Sequence, residues 1–235
     1  MVSTTAWFIG GTALAVLIFG TIFGIYFLFK ARRLEADLLI WAGILTILTG
    51  LFYLGATLEF LSVVIMGRSL DNTYGIHGLL AYIWVAPAII CAMYLGGELM
   101  IPKKKWIIVG IYIVLGIIFE LFLIFDTMNA FIFDDPAISG EDLRDSSFNQ
   151  AHPTFWLLAI FLISSLLFQG VGFAIKAGQA TGEIKRKFSY LSLGFIIFVF
   201  TGALDSFITP GPLLILIRSG MIIYAVLIYL GLKPS

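Results

Sequence analysis

The feature that most constrains this chain is a succession of apolar runs, each about 20 residues or longer, the length a helix needs to cross the hydrocarbon core of a bilayer. Seven stretches qualify, at about 6–29, 38–66, 76–101, 106–127, 153–175, 188–208 and 212–232. None alternates apolar with polar residues as a barrel strand must. The expected fold class is therefore all-α: one polytopic domain over 1–235, a bundle of seven transmembrane helices. Composition agrees, with 60% hydrophobic and 12% charged residues and a mean hydropathy of +1.06, where soluble domains carry about a quarter charged residues. The opening "MVSTTAWFIGG" has no basic region and runs directly into the first apolar stretch, so it reads as a spanning anchor and not a cleaved signal. Cys91 is the single cysteine and excludes an intrachain disulfide.

The 14 basic and 14 acidic residues cancel, which gives no reason to expect nucleic acid as a partner. Their distribution is informative. Loops after helices one, three and five hold Lys30, Arg32 and Arg33; Lys103, Lys104 and Lys105; and Lys176, Lys185, Arg186 and Lys187, and the tail adds Lys233. The opposite loops hold only Arg68 and Arg144. By the positive-inside rule the amino terminus is expected outside and the carboxyl terminus inside, with the lipid bilayer itself the first partner. The inner basic loops are mainly topology signals, and they also offer a surface for anionic headgroups or a partner protein. The one long outer segment, 129–152, carries Asp134, Asp135, Glu141, Asp142 and Asp145 against Arg144. It reads either as a solvated connector or as a lid over an outer cavity, and its acids do not follow a calcium-loop spacing.

Charges inside the runs need partners, because hydrocarbon does not solvate them. Helix seven places Arg218 roughly 9 Å below the outer surface at 1.5 Å per residue. Helices two and four place Glu59 and Glu120 at a similar depth, with Asp205 and Asp126 nearer the surface. These groups are expected to converge, Arg218 clamping to Glu120 or Glu59, or lining a ligand or ion site, or snorkelling outward. Gly55 and Gly116, each four residues before its glutamate, would let neighbouring helices approach there. Gly20 and Gly24 form a GxxxG packing pair in helix one. Helix three opens "DNTYGIHGLLAYIWVAPAI", with Tyr74, His77, Ala81 and Trp84 on one face and a kink expected at Pro87. That face reads as an aromatic wall of an outward-opening pocket, or, for Tyr74 and Trp84, as part of the interfacial aromatic belt.

Catalytic signatures are missing from the sequence. His77 and His152 are the only histidines, too few for a three-histidine zinc site, and no HExxH, G-x-S-x-G elbow or phosphate-binding glycine loop occurs. No enzyme activity, metal or other cofactor is expected. One internal correspondence stands out: Glu59 follows Lys30 by the same interval as Asp205 follows Lys176, in "GATLEF" and "GALDSF". This suggests a parallel three-plus-one-plus-three repeat of the kind found in some transporters.

The layout resembles the broad seven-helix class of semi-SWEET transporters, microbial rhodopsins and receptor-like sensors. "DNTYGIHGLLAYIWVAPAI", "GELMIPKKKW" and "FELFLIFDTM" look like stretches of archaeal-type multi-spanning proteins, and the arrangement is similar to the seven-helix sensor regions that precede histidine kinases. The rhodopsin mechanism does not transfer, since helix seven offers Arg218 and no lysine for a retinal Schiff base. Two readings follow. A receptor-like sensor would bind a small polar or cationic ligand at Glu59, Glu120, Asp205, Arg218, His77, Tyr74 and Trp84. With no output domain before Ser235, it would signal through a partner. A transporter would move a small solute or proton between the halves, using Ser164, Ser165, Gln169 and Thr201 near the midplane. A structural accessory subunit is the third possibility.

Overall fold

Ser3 begins the first helix by accepting a hydrogen bond from the amide of Ala6 (3.0 Å), which satisfies one of the donors a helix start leaves free. In the computed structural model, which describes residues 2–138, 140–205 and 213–234, helix α1 runs Thr4–Leu34 and ends on Glu35, in the left-handed region at φ 51°. A bent pair follows, α2 (Asp37–Leu51) and α3 (Leu54–Met66). Next come α4 (Ile76–Tyr82) with α5 (Val85–Met100), then α6 (Lys105–Phe125), the short α7 (Thr127–Ala130), strands β1 (Phe131–Asp134) and β2 (Asp145–Phe148), and α8 (Pro153–Ser165). Helix α8 passes through a π-helical turn, Leu166–Val171, into α9 (Gly172–Gln179), before α10 (Gly182–Asp205) and α11 (Leu213–Leu232). Six of these helical stretches are long and apolar enough to cross a membrane, or seven if the bent α2–α3 pair is one span. The expected "TPGP" turn, the end of helix six and the start of helix seven lie outside the described residues.

Small residues set the closest contacts. Helix α1 lies against α2 with Gly20 opposite Gly50 and Gly24 opposite Gly43; a Cβ at Gly20 would sit 2.9 Å from the Gly50 Cα. The two backbones therefore touch without intervening side chains. Gly55 faces the His77 carbonyl and Gly116 faces the Ala86 methyl, so α3 and α6 approach the α4–α5 span where Glu59 and Glu120 are found one turn further on. Substituting Gly55 by Ala would force its methyl into that carbonyl and is expected to cost about 1–3 kcal/mol, as overpacking does. The control is Gly11, which has open space around it and where Ala should be neutral or stabilise by up to about 1 kcal/mol through helix propensity. Thermal unfolding of the two variants in the same detergent checks the contrast.

Two breaks shape the bundle. Between α4 and α5 the helix is interrupted at Ile83–Trp84, where the Pro87 ring excludes the carbonyl four residues before it. The Trp84 Nε1 donates to the Leu80 carbonyl (2.9 Å), satisfying an acceptor there. Between α2 and α3 the axes meet at 45°. No proline marks this bend, and Gly50 and Gly55 flank it.

The 129–152 segment is the main departure from an all-helical reading. It folds into an antiparallel hairpin pairing Phe131 with Phe148 and Asp134 with Asp145. Alternation explains it: Phe131 and Phe148 turn inward against the Tyr82 ring, with centroids 5.3 and 4.4 Å away, while Ile132 faces out. Gly78 makes the room, since a Cβ there would lie 2.6 Å from the Phe131 ring. His152 closes the segment as the N-cap of α8, its ring 2.9 Å from Thr154 Oγ1 and 3.2 Å from Asp126 Oδ2.

Candidate functional site

Arg218 emerges from the buried face of α11 and reaches three other elements. Its Nε donates to Asp205 Oδ1 (3.1 Å), its Nη1 donates to the Ile9 carbonyl (2.5 Å) and Thr12 Oγ1 (2.7 Å), and its guanidinium lies 5.1 Å from the centre of the Tyr53 ring. The residue is buried and its charge is compensated. The acid it takes is Asp205, not Glu59 or Glu120, which corrects the expected pairing. The physical reason is side-chain length: the guanidinium extends several ångströms from its backbone, so the depth of the Cα does not set the depth of the charge.

Glu59 belongs to a second cluster. It is 0% exposed and accepts from the Leu70 amide (2.9 Å), with the Arg144 amide at 3.5 Å and Arg144 Nη1 at 3.9 Å. Arg144 also donates from Nη1 to the Leu70 carbonyl (2.9 Å) and from Nε to Asp135. The arginine at the base of β2 thus ties the hairpin to the 67–72 loop and to the end of α3. Further contacts reinforce this tie. The Ser3 amide donates to the Glu141 carbonyl (2.8 Å), the Ser3 hydroxyl donates to Asp142 Oδ1 (2.5 Å), and Leu143 is buried with Ala6, Phe60 and Val63. In the loop itself, the Thr73 hydroxyl and amide both donate to Asp71 and hold its carboxyl below the usual range.

Beneath the hairpin lies a cavity of about 160 Å³. Tyr53, His77, Tyr82, Asp205 and Arg218 line it, with Ser146 and Ser147 of β2 above. His77 is 4% exposed; its Nδ1 lies 3.1 Å from Ser146 Oγ, and its Nε2 is buried with no hydrogen-bond partner. A buried polar nitrogen without a partner is costly unless something supplies one. The lower wall is apolar, through Phe52, Val85, Leu158, Leu162 and Phe198, which also line a smaller apolar void of about 40 Å³ below.

Of the residues expected at one site, the structure brings Asp205, Arg218 and His77 to the same cavity. Glu59 lies in the hairpin tie. Tyr74 is 75% exposed on the turn before α4, and Trp84 is committed to the helix break. Glu120 is separate again: both carboxyl oxygens are buried without a partner, near the α4–α5 break. Tyr53, Ser146 and Arg144 were not expected at the site. The lone base of the 129–152 segment, set against an acid within an apolar run that still needed a partner, was the available signal for Arg144. Among the described residues, no group of three or more His, Cys, Asp or Glu side chains is placed to hold a metal ion.

No protein-family model matches the chain, and no curated protein matches it.

Proposed function

We propose that this is a receptor-like membrane sensor that crosses the bilayer seven times, counting α2–α3 as one bent span, and takes a small polar ligand into the cavity beneath its hairpin. The observation that carries the reading is a partly open cavity that the buried Arg218–Asp205 pair shares with Tyr53, His77 and the Ser146 and Ser147 residues of β2. The ligand is polar, not cationic: Asp205 and Glu59, two of the acids that suggested a cation, each have an arginine.

The hairpin end is outside and the carboxyl terminus inside, by the basic-loop asymmetry. Lys103, Lys104, Lys185 and Arg186 are exposed, which supports an inner surface for anionic lipid or a partner protein. The repeat is supported by Glu59 and Asp205, each near the outer end of its helix and each paired with an arginine.

Sensing is favoured over transport because the midplane polar groups are already used. Ser165 donates to Gln169 Oε1 (2.6 Å), Gln169 donates to the Ala92 carbonyl, Ser164 to the Ile160 carbonyl (2.6 Å) and Thr201 to the Ile197 carbonyl (2.7 Å). These four side chains are therefore each committed to a helix or its neighbour and are not held free for a solute.

A thermal-shift screen of water-soluble polar compounds on the purified full chain tests the reading. A compound present at a hundred times its dissociation constant should stabilise the protein by about 2.7 kcal/mol. The shift should vanish in Gly202→Leu, whose side chain would enter the cavity from α10, where among the described residues a Cβ meets Met221 at 3.6 Å. Shifts that persist in that variant would place binding elsewhere.

A further inference from the structure

The polar cavity has a neighbour on its membrane side. Between α8 and α10 lies an apolar groove of about 530 Å³, with Phe155, Ala159 and Leu166 on one wall and Val199 and Ala203 on the other. Ser147, Leu158 and Leu162 line both the groove and the cavity, so the partition between them is one side chain thick. Along α10 the last turn divides in the same way, with Ala203 on the groove and Gly202 and Asp205 on the cavity. From Phe155 to Leu166 the groove extends about 16 Å at 1.5 Å per residue, close to one leaflet, half of a hydrocarbon core of about 30 Å. Its upper end is polar, through Ser147, Asn149 and Gln150.

We propose that the ligand is a single-chain amphiphile from the outer leaflet, its acyl chain in the α8–α10 groove and its uncharged, hydroxyl-bearing head in the cavity against Asp205, Arg218 and His77. This rests on the cavity reading above and names the ligand class. The length of the groove fits one chain confined to one leaflet. The head is uncharged because the cavity offers a closed ion pair together with the serine hydroxyls of β2 and Tyr53, a set that supplies both donors and acceptors to a hydroxyl. The head passes the partition when Leu158 and Leu162 change rotamer, a motion of low cost for a leucine at a void.

The experiment uses the full chain in lipid nanodiscs with a monoacylglycerol carrying a diazirine in its chain, followed by peptide mapping of the photolabel. Label should concentrate on 153–166 and 195–205, unlabelled monoacylglycerol should compete it away, and Ala159→Trp, which fills the groove from a partly exposed position, should abolish the enrichment. A diazirine fatty acid serves as the charged-head comparison. Equal or stronger labelling by the fatty acid overturns the uncharged head. Label spread over all the lipid-facing helices and indifferent to Ala159→Trp overturns the amphiphile. In that case a water-soluble compound that still shifts the melting temperature in a Gly202-dependent way would leave the cavity reading standing, and its absence as well would remove both.

Discussion

Replacing Arg218 by Met is expected to destabilise the protein by about 3 kcal/mol, the low end of the range for removing one partner from a buried ion pair. The substitution strands Asp205, whose side chain is only 18% exposed, and removes the donor that joins α11 to the Ile9 carbonyl and Thr12 on α1. Lys at the same position is a partial rescue, because one ammonium cannot reproduce a planar fork that contacts Asp205 and α1 at the same time. Pairing Arg218→Met with Asp205→Asn should recover part of the loss, since the double variant no longer buries an uncompensated charge. Thermal unfolding of the four proteins in one detergent gives the cycle. A loss under about 1 kcal/mol for the single variant, the value of a solvent-exposed pair, would mean that the guanidinium lies in the headgroup region.

The second large effect concerns the hairpin. Glu59→Met removes the acceptor for the Leu70 amide and the counter-charge for Arg144 in one step. Bonds to a charged group contribute about 1.5–3 kcal/mol each, so the variant is expected to lose about 3 kcal/mol, and Glu59→Gln less because its amide oxygen still serves Leu70. The loss should be local as well as global: backbone amides of β1 and β2 should exchange faster with solvent, because Arg144 then ties the hairpin to the 67–72 loop through the Leu70 carbonyl, its bond to Asp135 lying within the hairpin. Glu120→Gln is the matched control. Its carboxyl oxygens have no side-chain partner to lose, so the variant should be neutral or stabilising and should leave hairpin exchange unchanged.

These contrasts show which parts of the molecule could be read in the sequence. The helices long and apolar enough to cross a membrane were legible because length and hydrophobicity are local properties, and so were the interruption ahead of Pro87 and the packing role of Gly20 and Gly24. The 45° bend at Phe52–Tyr53 was not, because no proline causes it and the glycines that permit it also serve packing. The site was legible as a list of residue types needing partners, but not as a set of pairs. Arg144 and Glu59 are 85 positions apart, and which acid meets which base depends on side-chain reach and helix rotation, neither of which hydropathy encodes. The hairpin was hidden for a related reason. Its "FIFD" strand alternates correctly, but the surface its phenylalanines bury against is Tyr82 and Gly78 on a distant helix.

The central claim is that a hairpin tied down through Arg144 and Glu59 covers the cavity that holds Arg218 and Asp205 at the hairpin end of the bundle. A single cysteine at the cavity-lining Ala81, placed in a Cys91→Ala background, tests it with a charged, membrane-impermeant thiol reagent added to one side of sealed vesicles at a time. Reaction should occur from the hairpin side alone, and at least about tenfold faster when Glu59→Met is added, since about 1.4 kcal/mol of lost closure is a factor of ten in opening. Equal rates with and without Glu59, or modification from the opposite side, would contradict it.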